Sequence, residues 1–154
     1  MKNFLTYLQE KTYDGGDCFP TANQLVLADK VPIEGTQLDD YKIVHALVYG
    51  QGVLKGRRFA HAFLLFDNKL VVDNSNGNNI VMMKKQYYKM GKINEKERGA
   101  YYEYTPKQAQ SAMVRVGTHG PWDIDMALAE TFETISKYRV RLTAKEKKLL
   151  QKVK

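Results

Sequence analysis

Cysteine is almost missing from this chain: Cys18 is the only one in 154 residues. An internal disulfide is excluded, and so is a zinc site built on paired thiolates. Histidine is scarce too. His45, His61 and His119 are scattered, and their spacing matches no metal-binding pattern. No apolar run is long enough to span a bilayer, so no membrane association is expected. Met1 to Lys11 lacks the long apolar centre of a signal peptide. It reads as a short amphipathic helix with Phe4, Leu5 and Leu8 on one face. A lone thiol without a leader points to a reducing, cytoplasmic compartment. Gly15-Gly16 is followed by no lysine at the spacing of a phosphate loop, and no cofactor is expected. Internal repeats, low-complexity tracts and linkers are absent as well. The length then corresponds to one domain, able to bury about 70% of its unfolded surface.

The charge that is present is unevenly placed. The net charge is +7, and residues Lys137 to Lys154 hold eight Lys/Arg against the single acid Glu146. The rest of the chain is neutral. Residues 139–154 are read as a basic C-terminal helix appended to a domain over 1–138, opened by the capping box Thr143-Ala144-Lys145-Glu146. Such a run is a solvated helix face or a contact for nucleic acid. No aromatic residue follows Tyr138, which argues against single-strand binding by stacking.

Ahead of that tail the pattern mixes both periods. Cys18 to Ala28 reads as a helix, with Asp17 as N-cap and Pro20 in the first turn, closed by Pro32. Ile43–Tyr49 reads as a strand, followed by a glycine-rich connection from Gly50 to Gly56. Phe59–Phe66 and Lys69–Val72 read as a hairpin around Asp67-Asn68. Ile80–Met83 is a further strand, Gln86–Met90 a helical turn and Tyr101–Tyr104 a strand. Thr105-Pro106-Lys107-Gln108 is a helix start ending near Gly117. A second helix is expected after Asp123, with Ile124, Leu128, Phe132 and Ile135 on one stripe. The class is α+β: a helix carrying Cys18, packed on a small antiparallel sheet.

The order of chemistry-bearing residues is then cysteine at a helix N-terminus, histidine on a strand, aspartate at the end of the next strand. A helix N-terminus and a nearby imidazolium favour thiolate over thiol, and the backbone N–H groups there can hold an oxyanion. Asp73 would orient His61 and stabilise its charged form. A turn centred on Asp67 pairs His61 with Asp73; a two-residue turn at Asp67-Asn68 pairs it with Asn74 and turns Asp73 to the other face. The sequence leaves that register open. His45 is a rival base able to face the same side of the sheet, but it has no carboxylate partner at an obvious spacing. His119 is read as a loop residue. Tyr13 and Gln24 are alternative side-chain oxyanion donors, and the many tyrosines read as core and strand residues.

These residues also resemble a family. Gly16-Asp17-Cys18, His61-Ala62-Phe63 and Asp73-Asn74-Ser75-Asn76-Gly77 are similar to the nucleophile turn, the His-Ala-aromatic segment and the Asp-Pro-Ser/Thr segment of the transglutaminase-like branch of papain-fold cysteine enzymes. The likeness covers residues 12–77. With Tyr49-Gly50-Gln51-Gly52 and Gly120-Pro121-Trp122-Asp123 added, the pattern is similar to small bacteriophage-encoded proteins of this type, which implies a host cytoplasm. Asn74 stands where the family usually has proline, and Phe19 where many members have tryptophan. The resemblance implies a papain-like fold and a cysteine-dependent hydrolase or acyltransferase. It would act on an amide, peptide or isopeptide bond of a peptide or protein substrate through Cys18, His61 and Asp73. The rival expectations are a non-catalytic binding protein on that fold and a nucleic-acid-associated protein using the basic tail.

Overall fold

The apolar runs become five strands: β1 (Tyr41–Tyr49), β2 (Arg58–Phe66), β3 (Leu70–Asp73), β4 (Ile80–Met83) and β5 (Tyr101–Tyr104). They form one open antiparallel sheet in the order β4-β3-β2-β1-β5. Among the described residues, the α-helices with full bounds are α1 (Cys18–Leu27), α2 (Lys84–Met90) and α3 (Pro106–Val116). The computed structural model describes residues 17–77, 79–131, 134, 135 and 148. The architecture is α+β.

β1 is apolar at nearly every position because it is covered on both faces; Lys42 is its one exposed residue. Tyr41 and Ile43 lie on one face with Ala62, Leu64 and Val72, against Cys18, Phe19, Ala22 and Leu25 of α1 and Ala109 of α3. Val44, Ala46 and Val48 lie on the other with Phe63, Leu65 and Val71, against Tyr87 and Tyr88 of α2. The helix that carries Cys18 therefore packs on one face of the sheet, and α2 covers the opposite one. Burial of each such leucine or valine contributes about 1.5–3 kcal/mol, so the two layers hold the sheet from both sides.

Local chemistry sets the element ends. Thr105 Oγ1 accepts from Gln108 N (3.2 Å) and Gln108 Oε1 from Thr105 N (2.9 Å), the capping box read from the sequence. Gly117, at φ 79°, terminates α3 in the left-handed conformation. α1 stops at Leu27, before Pro32 is reached, and Asp29 turns the chain at φ 48°.

The stretch after Asp123 departs from its expected helix. Between Asp123 and Thr131 the only regular element is a 3₁₀ turn, Met126–Leu128; Thr134 and Ile135 are helical, with Ile135 N bonding Thr131 O at 3.0 Å. Before Thr131 the backbone is spent elsewhere: Asp125 N bonds Gly99 O (2.8 Å), Glu130 N bonds Arg58 O (2.8 Å), and Asp125 Oδ1 takes Ala127 N (3.0 Å). Ile124 and Ile135 are buried as expected, but Leu128 is 36% exposed. Phe132, the expected N-terminal helix, and the basic segment 139–154 apart from Lys148 lie outside the described residues. Among the described residues no helix is long and apolar enough to cross a membrane.

Candidate active site

Cys18 is the first residue of α1, and Asp17 occupies the N-cap position. Asp17 does not cap as expected. Its backbone stands at φ −81°, ψ 0°, and its side chain makes no bond to the first-turn amides. An N-cap side chain reaches those amides from an extended backbone, which Asp17 does not have. Pro20 brings no N–H to the first turn. The first intrahelical bond is Thr21 N to Asp17 O (2.8 Å), so the amides of Cys18 and Phe19 have no acceptor within the helix. They lie at the positive end of the helix dipole.

His61 and Asp73 are brought together by a hairpin register that neither expectation gave. Asp67 (φ 47°) and Asn68 (φ 53°) are both left-handed, a conformation their short polar side chains tolerate, and Lys69 N closes onto Phe66 O at 2.9 Å. The loop is thus three residues long and centred on Asn68. The ladder runs Phe66↔Leu70, Leu65↔Val71, Leu64↔Val72. Continued, it sets Phe63 opposite Asp73 and His61 opposite Ser75. Asp73 is then the diagonal neighbour of His61 on the same face, within side-chain reach. His61 Nε2 donates to Asp73 Oδ2 at 2.8 Å, both residues being buried.

Three further donors, from two residues, hold the carboxylate. Ser75 gives its N–H (3.0 Å) and its hydroxyl (2.6 Å) to Asp73 Oδ1, and Tyr87 Oη donates to Asp73 Oδ2 at 2.7 Å. Every lone-pair direction of Asp73 is therefore engaged by a named donor. Sequence reasoning missed both partners. The spacing Asp73-Asn74-Ser75 is a turn signal that could have marked Ser75. Nothing in the sequence marks Tyr87, which arrives from α2.

Cys18 also favours the charged form of the same imidazole. Nε2 is taken by Asp73, which leaves Nδ1 for the thiol. Cys18 belongs to the cluster on the α1 face, and the His61 ring faces the α2 side.

Burial alone would disfavour the imidazolium. The Asp73 charge, the Cys18 side chain and their hydrogen bonds outweigh it, and His61 is held well above its ordinary value of 6.5. Burial likewise opposes the Asp73 carboxylate, but His61, Ser75 and Tyr87 hold it well below the usual carboxylate range. Burial and the Asp73 charge push the Tyr87 phenol up, so it remains a donor. The charged forms of Asp73 and His61 and the neutral phenol of Tyr87 are thereby favoured together.

His45 is not a second base at this site. It pairs with Ala62, while His61 pairs with Ala46, so the two imidazoles face opposite sides of the sheet. That corrects the expectation of a shared face. His45 is fully buried among Phe19 (4.8 Å between ring centres), Tyr104 (4.9 Å) and Trp122 (4.7 Å). Neither ring nitrogen has a partner among the described residues. Burial takes its pKa down to about 3, against the pull of Asp123. A Cβ on Gly120 would come within 2.6 Å of His45 Cε1 and 3.0 Å of Phe19 Cδ1, so this glycine permits the packing behind the thiol helix.

His119 is an exposed loop residue, as read, and it is tied to α1: Asn23 Nδ2 donates to its carbonyl (3.0 Å) and its Nδ1 (3.2 Å). Gln24 is exposed on α1, and Tyr13 lies outside the described residues. Among the described residues no group of His, Cys, Asp and Glu can hold a metal ion. Family models, curated proteins and solved structures offer no match to the chain.

Proposed function

We propose that the protein is a cysteine-dependent hydrolase or acyltransferase of papain-like, transglutaminase-like type. Its substrate is an amide, peptide or isopeptide bond in a peptide or protein. The observation that carries this reading is the buried His61–Asp73 pair, its carboxylate held by Ser75 and Tyr87, with Cys18 at the start of α1 favouring the charged ring. A buried carboxylate with four donors is a costly arrangement for packing alone. It is the arrangement that fixes an imidazole and keeps it charged beside a thiol.

With its proton held on His61, Cys18 Sγ attacks the carbonyl carbon as thiolate, and the C–S bond forms as the oxygen takes the negative charge. The free amides of Cys18 and Phe19 stand where that charge develops. His61 gives its Nδ1 proton to the leaving nitrogen, the C–N bond breaks, and a thioester remains on Cys18. Water or an amine then attacks the thioester carbon and gives its proton to His61; the C–S bond breaks, the acid or new amide leaves, and the Cys18 thiolate beside the imidazolium is restored.

The test is a burst assay with p-nitrophenyl acetate, an activated ester that needs little recognition. The reading predicts a burst of p-nitrophenolate close to one equivalent per chain and an acetyl group on Cys18 by mass spectrometry, both absent in Cys18→Ala. A wild type that releases p-nitrophenolate no faster than Cys18→Ala contradicts it.

A further inference from the structure

The chain ahead of the basic tail is neutral as a whole, but its charge is not spread evenly. Residues 84–98 hold six Lys/Arg against two acids, Glu95 and Glu97. Both acids are engaged within the fold. Lys84 Nζ donates to Glu95 Oε1 at 2.7 Å, and Arg58 grips Glu97 with both terminal nitrogens. Glu103, the next acid along the chain, pairs with Lys42 on the sheet. Lys85, Lys89, Lys92, Lys96 and Arg98 have no carboxylate within ion-pair distance among the described residues, and all five are exposed.

The residue order in α2 decides where these cations point. Tyr87 and Tyr88 are buried, which turns Lys85 and Lys89, one helical turn apart, to solvent. Lys92 follows just past the helix end at φ 50°, its ammonium 5.4 Å from the centre of the Tyr49 ring. Unpaired cations this close in the chain repel one another, and an anionic partner removes that repulsion. What accompanies them narrows the partner. The two aromatic rings of the segment are buried, so no base can stack on them. Met90 is the one large apolar side chain exposed there, too little for a helix that lies in a membrane surface. A regular row of phosphates asks only for charge.

We propose that α2 and the loop after it form a docking surface for the phosphate backbone of a nucleic-acid duplex, held by charge and without reading its sequence. This surface is separate from the basic tail, and it stands whether or not Cys18 is a nucleophile. Tyr87 points from α2 inward to Asp73, so the duplex lies on the side of that helix away from the candidate active site.

The experiment measures binding of a short DNA duplex to the full chain by fluorescence anisotropy, from about 50 to 200 mM salt. One variant combines Lys85→Gln, Lys89→Gln and Lys92→Gln. A control of equal net charge combines Lys30→Gln, Lys107→Gln and Arg115→Gln, all exposed elsewhere. Wild type is expected to bind two unrelated sequences alike. The α2 variant should lower the slope of log K against log salt by about 3, since each phosphate contact contributes about 0.9; the control should leave it unchanged. The α2 changes should have the same effect in a chain whose tail carries Lys147→Gln, Lys148→Gln and Lys152→Gln. Absence of duplex binding overturns the proposal. So does a slope that the α2 variant leaves unchanged, that the control lowers equally, or that responds only while the tail is intact. Binding to phosphatidylserine-rich vesicles but not to the duplex, lost in the α2 variant, overturns it in favour of a membrane contact.

Discussion

Tyr87→Phe isolates one hydrogen bond of the candidate site. The phenol donates to Asp73 Oδ2 at 2.7 Å, and phenylalanine keeps the ring that packs on Phe63 (4.9 Å between centres). No cavity opens; one donor to a buried carboxylate is removed. Hydrogen bonds to charged groups contribute about 1.5–3 kcal/mol, and Oδ2 keeps His61 as a partner, so the loss should fall inside that range. For a chain of this length it corresponds to a drop of about 3–12 °C in Tm. Asp73 is held below its ordinary value by His61, Ser75 and Tyr87 together. With one donor gone it takes up a proton at higher pH, so stability and thiol reactivity should both fail earlier on acidification. Thermal denaturation followed by circular dichroism at pH 7 and pH 5 reads the first effect. The rate of iodoacetamide alkylation against pH reads the second. A variant within about 0.5 kcal/mol of wild type at both pH values, with the same alkylation profile, would refute the claim that Tyr87 supports an ionised Asp73.

Ser75→Ala removes the hydroxyl donor to the other carboxylate oxygen but keeps the backbone donor; it should cost about 1–2 kcal/mol by urea denaturation and shift the acid limb in the same direction. His45→Leu addresses acid stability. The His45 pKa is depressed in the folded state, so its contribution is present above about 6.5 and is lost as the pH falls toward about 3. His45→Leu should narrow the stability difference between pH 7 and pH 4, and equal acid sensitivity in the two proteins would show that burial of this ring is not the cause. Gly120→Ala should cost about 2–4 kcal/mol and slow thiol alkylation, since its Cβ would press His45 and Phe19 behind Cys18 from a backbone at φ 116°; unchanged alkylation would uncouple that loop from the thiol.

The fold was legible where one rule dominated. The capping box at Thr105, the glycine at 117 and the unbroken apolar run of β1 each had a single strong local cause. The helix expected after Asp123 does not begin there, because tertiary backbone partners, Gly99 and Arg58, hold residues 125 and 130, while Thr134 and Ile135 are helical. Cys18, His61 and Asp73 could be nominated from order and element ends. Their juxtaposition could not, because it depends on a three-residue loop in which both Asp67 and Asn68 turn left-handed. A one-residue change in that loop would have sent Asp73 to the other face. Tyr87 was invisible for a different reason: its role comes from α2 crossing the opposite face of the sheet, and tyrosine on a buried helix face reads as core. His45 was misjudged because strand parity between β1 and β2 fixes its side, and parity needs the register.

The central claim is that Cys18 works as a nucleophile sustained by a charged His61, and the pH profile of Cys18 alkylation by iodoacetamide tests it most directly. The His61 pKa is raised in the folded protein, so the imidazolium persists from below 6.5 up to that higher value and is lost above it. Wild-type protein should therefore react across the neutral range, while His61→Ala reacts at neutral pH at least about tenfold more slowly and recovers only toward alkaline pH. A thiol that stays inert until the protein is unfolded, or one whose profile is the same in both proteins, contradicts the claim and makes Cys18 a buried structural residue.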